Sequence, residues 1–131
     1  MIRLTSVICL AIAMIAIVGC SSIQVAPKES MNDQKLAAGS EQNVAHVNAQ
    51  TWGLYVLSIP ILTGDTENEG TMAVMKDTVN VKSVVNMATK KSKELGATKS
   101  LDMVSSASSI WIFPLFVVFL RSTEVSTNAV K

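Results

Sequence analysis

The spacing of apolar residues turns helical once beyond the N-terminal apolar run. Val81, Val84, Val85, Ala88, Ser92 and Leu95 fall at i, i+3, i+4, i+7, i+11 and i+14, one face of a helix, with Lys82, Asn86, Lys90, Lys93 and Glu94 largely off that face. Asn80 stands at the N-cap position, and Gly96 stands where a left-handed residue ends a helix. The Val-rich first turn weakens helix propensity and leaves the start uncertain by a turn. A single helix covers one face of a sheet and no more. The fold class expected is therefore α+β, a small antiparallel or mixed sheet of three to four strands with one covering helix. The uncovered face is expected either to be polar or to set its apolar run against another copy, a partner or a membrane surface.

The strands are read from composition and alternation. Residues 52–62, with Trp52, Tyr55, Val56, Ile59 and Ile61, predict one buried strand that closes on Thr63, Gly64 and Asp65, and Pro60 pushes it toward an edge. Residues 72–79 are compatible with a second short strand. A strand over 98–106 and the apolar stretch 110–120 are joined by a turn near Ser108 and Ser109. The second of these continues through Arg121, where Thr123, Val125, Thr127 and Ala129 alternate with Glu124, Ser126 and Asn128. The uncharged run 103–120 is diluted by Ser105, Ser106, Ser108 and Ser109 and interrupted by Pro114, which favours a strand pair over a membrane span.

Residues 1–19 divide as an export leader does: Arg3 is the only charge, an uncharged run follows over 4–18, and small Gly19 precedes Cys20. The run is short of the roughly 20 apolar residues that cross a bilayer. Ile17-Val18-Gly19-Cys20 resembles the lipobox of bacterial lipoproteins. That resemblance implies cleavage between Gly19 and Cys20, a diacylglycerol on the thiol of Cys20 and, in the usual case, acylation of the new amine. Two or three acyl chains make a stable anchor where one does not. Ser21, rather than Asp, after the cysteine implies the periplasmic face of the outer membrane over the inner membrane. The segment Glu94-Leu95-Gly96-Ala97-Thr98-Lys99 is also similar to the helix-Gly-strand junction of TRL-like small bacterial lipoproteins, a likeness that bears on fold and location.

The organisation expected is thus a signal peptide over 1–19, the lipidated cysteine and a flexible tether over 20–43, and a small domain over 44–131. The tether segment is mostly Ser, Gln, Asn, Ala, Lys and Glu, without a lasting apolar period, and a flexible chain of that length holds its cargo on the order of 25 to 30 Å from its anchor. Of the chain's 11 Lys and Arg, Arg3 leaves with the leader, so the mature charge is close to balanced against 10 Asp and Glu. That balance argues against nucleic acid as a partner and against a polybasic grip on anionic lipid. It leaves an envelope protein, self-association or a small ligand.

The chemistry of catalysis and cofactor binding is sparse. Cys9 goes with the leader and Cys20 to the lipid, so no disulfide and no thiolate ligand remain. With His46 the only histidine, zinc lacks its ligands, and no Gly-x-Ser-x-Gly accompanies it. His46 is read as an exposed or hydrogen-bonded side chain at the start of the domain. Asp65, Glu67 and Glu69 with Gly70 imitate the start of an EF-hand loop, but Lys76 stands where its bidentate carboxylate belongs, so the loop is read as a solvated turn. Lys90, Lys91 and Lys93 form a basic cluster on the solvated helix face. Trp111, Phe113, Phe116 and Phe119 are core candidates first and ligand-pocket candidates second. No catalytic residue, cofactor or metal site is assigned. The function expected is a non-enzymatic, lipid-anchored envelope module that binds another protein or itself, with a carrier or sensor of a small apolar ligand, held between helix and sheet, as the alternative. The processing has a direct check: Cys20→Ala is expected to abolish lipid labelling and leave an uncleaved precursor, and unchanged labelling and mass in that variant would sink it.

Overall fold

The computed structural model describes residues 21–31, 41–112 and 117–131. Among the described residues six strands form one antiparallel sheet: β1 (Ser21–Pro27), β2 (Asn43–Val56), β3 (Ile59–Gly64), β4 (Met72–Val74), β5 (Lys99–Trp111) and β6 (Val118–Val130). One helix, α1 (Val81–Glu94), lies between β4 and β5 in the chain. The sheet runs β4, β3, β2, β6, β5, and β1 also pairs with β2. β1 takes the stretch Ala45 to Thr51 of β2 and β3 takes Gly53 to Val56, so the two lie end to end along the same side of β2.

Alternation builds the core. In β2, Ala45, Val47, Ala49, Thr51, Gly53 and Tyr55 are buried while the residues between them are not, and β6 repeats the pattern with Thr123, Val125, Thr127 and Ala129. These two rows face α1, which returns Val84, Met87 and Ala88. Alanines at 45, 49, 88 and 129 let the helix sit close to the sheet, and Ile23 and Val25 of β1 pack at the margin. The helix ends as its sequence foretells. The Asn80 carboxamide oxygen accepts the Ser83 N–H at 2.9 Å. Gly96, at φ +88, donates to the Lys93 carbonyl and Ala97 to the Ser92 carbonyl, the paired bonds of a Schellman end.

Four expectations are corrected. The sheet has six strands rather than three to four. The single strand over 52–62 is two, β2 and β3, joined at Leu57 and Ser58. The tight turn carries no Asn-Gly signal because Leu57 itself takes the positive φ, at 57°. The β5 to β6 connection spans 112–117 instead of Ser108 and Ser109, since Ser105 to Ser109 all sit in the ladder opposite Val125 to Arg121. Of the run 103–120, residues 103–111 accordingly belong to β5 and 118–120 to β6, and among the described residues no helix is long and apolar enough to cross a membrane.

The fourth correction concerns the tether. Ser21–Pro27 is a strand paired with β2 from its first residue, and a short 3-10 turn over Lys28–Ser30 follows. The polar composition that reads as flexible is that of an edge strand with Ser22 and Gln24 turned to solvent and Ile23 and Val25 turned to the helix. Ser21 is buried, and its hydroxyl donates to the Asp65 carbonyl at 2.7 Å.

Gly53 marks the tightest approach in the sheet. A Cβ there would lie 2.7 Å from the Thr63 methyl, 2.9 Å from the Leu62 carbonyl oxygen and 2.9 Å from a Val79 methyl. Backbone on one side and two buried side chains on the other leave no room to yield. Gly53→Ala is expected to cost about 1–3 kcal/mol, read from the urea midpoint, whereas Asn86→Ala on the exposed helix face is expected to stay within about 0.5 kcal/mol. Equal midpoints for the two variants would refute the packing described.

Candidate functional site: the uncovered sheet face

The side of the sheet opposite α1 carries the other set of alternating residues, and cross-strand register sorts them into rows. At one end Val74, Leu62, Leu54, Leu120 and Ile110 are successive partners from β4 to β5, a single aliphatic row across five strands. Val56 and Val118 pair above it, and Trp52 stands below it opposite Ser122. At the other end the rows are polar: Gln50 with Glu124, Asn48 with Ser126, His46 with Asn128.

The apolar end forms a cleft of about 460 Å³. Trp52, Leu54, Leu62, Ile112 and Leu120 line it, and Gln50 and Ser122 give it a polar margin. No charged side chain borders it among the described residues. By contrast, the space between helix and sheet, where the sequence places a ligand, is closed: Val47, Val84, Ala88 and Val125 are wholly buried against one another. Room for an apolar guest therefore lies on the far side of the sheet from the helix.

The polar end is internally bonded. The Asn128 carboxamide oxygen can only accept, so His46 Nδ1–H donates to it at 2.7 Å. That tautomer leaves Nε2 to accept the Ser126 hydroxyl at 2.9 Å. Asn128 Nδ2 donates in turn to Asp102 at 3.2 Å, and Asn48 Nδ2 donates to Glu124 at 2.6 Å. Hydroxyl, imidazole and carboxamide thus stand in the order of nucleophile, base and orienting group. Two things required for acyl transfer are missing from the surroundings. His46 and Asn48 are flanked by β1 and β6, and Ser126 and Asn128 by β2 and β5, so their backbone groups belong to ladders rather than to an oxyanion site. Ser126 does not line the cleft at the apolar end, whose polar margin is made by Gln50 and Ser122. The relay is a cross-strand network on an open face, and sequence inspection missed it because its members come together only through the β2 to β6 register.

The remaining sequence candidates fall elsewhere. Gly19 and Cys20 lie outside the described residues, as do Phe113 and Phe116. Trp111 and Phe119 are cross-strand neighbours on the helix side with Tyr55, so neither of these two lines the cleft. Tyr55 is itself buried and donates to Asp77 at 2.6 Å, while the Arg121 guanidinium sits 4.6 Å from its ring centre. Burial first, and then the hydrogen bond to a carboxylate, push the phenol well above its ordinary pKa.

The acidic loop is a fastening for β1. The Asp65 carboxylate accepts from Asn68 Nδ2 at 2.8 Å and from the Glu67 N–H at 2.9 Å, and these bonds hold its pKa below the usual carboxylate value. Glu69 accepts the Ile23 N–H at 2.9 Å, and Glu67 pairs with Lys76 at 3.4 Å. Among the described residues no group of three or more His, Cys, Asp and Glu is placed to hold a metal ion. Lys90 and Lys93 are exposed on α1, and Lys91 reaches Glu94 at 3.7 Å.

No family model matches this chain, and neither the curated proteins nor the solved structures contain a match to it. The relay lends itself to a chemical test. Ser126→Ala and His46→Gln are each expected to cost about 1 kcal/mol of stability, the net worth of one or two partly buried hydrogen bonds. The native chain is expected to show no labelling by an active-site-directed fluorophosphonate. Labelling that disappears with Ser126→Ala would reassign the network to catalysis.

Proposed function

We propose that this chain is a non-enzymatic binding protein of the bacterial envelope, anchored by lipid on Cys20 and engaging an envelope protein through the apolar end of its uncovered sheet face. The observation that carries the reading is the aliphatic row from Val74 to Ile110, which one helix on the opposite face leaves bare. A contiguous apolar patch of this kind on a small protein marks a contact surface. The outer membrane, at its periplasmic face, is the location favoured by Ser21.

The position of β1 supports a close attachment. Ser21 is bonded to Asp65 and to the Gly70 N–H, and Cys20, the residue before it in the sequence, is one Cα step away, about 3.8 Å. Acyl chains on Cys20 would therefore hold the sheet at the bilayer surface, without the slack of a tether. A membrane-apposed sheet presents its apolar end to neighbours in the same leaflet.

A second reading rests on the cleft itself. Its volume lies within the roughly 300–1,000 Å³ of small-molecule sites, and an apolar lining with Gln50 and Ser122 at one margin suits a ligand with an acyl tail and a polar head. One experiment weighs the two. A photo-crosslinking amino acid in place of Leu54, introduced into the anchored protein in intact cells, is expected to give a defined protein adduct that the same group at Asn86 does not give. Val74→Asp, at an exposed position that leaves the core untouched, is expected to remove it. Adducts to lipid-sized molecules alone would favour the second reading, and identical adducts from positions 54 and 86 would defeat both.

A further inference from the structure

The two sides of the sheet treat their open edges differently. On the β4 side the exposed edge is broken into short pieces: β4 has three residues, and β1 ends in Pro27 and has its Ile23 N–H capped by the Glu69 carboxylate. Short strands, proline and capping are the devices that keep edges from pairing with foreign strands. β5 is the opposite edge, thirteen residues long. Its first part is protected by Lys99 and by a bulge between Leu101 and Val104, where Asp102 takes a φ of 51°. From Val104 to Trp111 there is no charge, no proline, no glycine and no bulge, and every residue is exposed. Among the described residues its strand partner is β6 alone.

We propose that this stretch of β5 pairs antiparallel with the same stretch of a second copy, about a two-fold axis at Ala107. The case for a second copy, over a strand of another protein, is the fit of the sequence to itself. With Ala107 opposite Ala107, Ser106 faces Ser108 of the second copy and Ser105 faces its Ser109, small hydroxyl pairs that cross-strand neighbours accommodate. Val104 faces Ile110 of the second copy, joining side chains that are 64% and 60% exposed in the single chain. Asp102 and Lys99 fall opposite positions at or beyond the end of the other β5, so no like charges meet.

The register also keeps the faces aligned. Val104 and Ile110 pair with Ser126 and Leu120 respectively, on the face away from the helix. A two-fold axis perpendicular to the sheet keeps both helices on one side and both uncovered faces on the other. The aliphatic row of one copy then continues at Val104 of the next. This inference goes beyond the contact at the apolar end: Ile110 belongs to both, whereas Val74, at the far end of the sheet from β5, belongs to that contact alone.

The test uses two differently tagged full-length copies, co-expressed and extracted in mild detergent. Wild-type copies are expected to capture each other. Ala107→Lys in both copies, or Ala107→Glu in both, is expected to lower capture at least about tenfold, because like charges then face each other on the axis. One copy with Lys and one with Glu is expected to restore most of the capture, which also shows that the variants fold. Val74→Asp is expected to leave capture unchanged. The proposal is overturned if wild-type copies do not capture each other, if two Lys copies still do, or if the mixed pair fails to recover.

Discussion

The two-residue alternation of β2 is the constraint on which the rest of the molecule depends. β2 is paired along both sides for most of its length, with β6 on one side and β1 and β3 in succession on the other, and β6 is likewise held between β2 and β5. A shift of one residue would carry Ala45, Val47 and Ala49 to the open face and bring His46, Asn48 and Gln50 beneath the helix. The buried polar groups would then have no partners. The β6 alternation of Thr123, Val125, Thr127 and Ala129 locks the same register from the other side, so helix face and open face are decided together.

The ends of the helix that sits on this frame were legible, because the Asn80 cap and the Gly96 end come from local chemistry, and local chemistry is what a sequence displays. Its stripe was legible in part: Val84, Ala88 and Ser92 are buried, whereas Val81 and Leu95 are exposed and Met87 takes a buried place outside the expected stripe. The Thr123 to Ala129 alternation was legible for the same reason. The hairpin at Leu57 and Ser58 was not, because a leucine at positive φ gives no turn signal and a single Ser58 is all that parts the apolar residues on either side. The Ser-rich stretch of β5 misled in the reverse direction, since serine favours turns when unpaired but sits without cost in an exposed ladder. The strand β1 was hidden by composition: one apolar side at Ile23 and Val25 against a long partner is enough to order a segment that reads as a linker.

The open face was legible least of all. Val74, Leu62, Leu54, Leu120 and Ile110 are scattered over five separate strands, and nothing but register makes them a row. The same holds for His46, Ser126 and Asn128. The core itself is modest, made largely of alanine and valine with Tyr55 its largest member, and it relies on buried hydroxyls to close its edges. Thr78 donates to the Gly64 carbonyl at 2.5 Å, Thr63 to the Lys76 carbonyl at 2.7 Å and Thr127 to the Leu101 carbonyl at 2.9 Å. Threonine in these places fills the volume of valine while satisfying a loop or bulge carbonyl, which is how irregular backbone at 64–78 and at the β5 bulge is held without a second helix.

The division of the open face into two ends also separates what is already satisfied from what is not. At the polar end, His46, Asn48, Glu124, Ser126 and Asn128 bond to one another, so a partner arriving there would have to break bonds to make new ones. At the apolar end, Val74 and Ile110 stand well exposed at the margins of a cleft whose floor is already half-buried. Covering that end releases water from apolar surface and breaks nothing, at a gain of about 25 cal/mol for each Å² removed from solvent. The difference in gain between the two ends therefore comes from internal bonding as much as from hydropathy. It supports the Trp52 and Leu54 end and the uncharged edge of β5 as the surfaces proposed for association, and it leaves the histidine network as a set of bonds across β2 and β6, whose register the alternation of both strands decides.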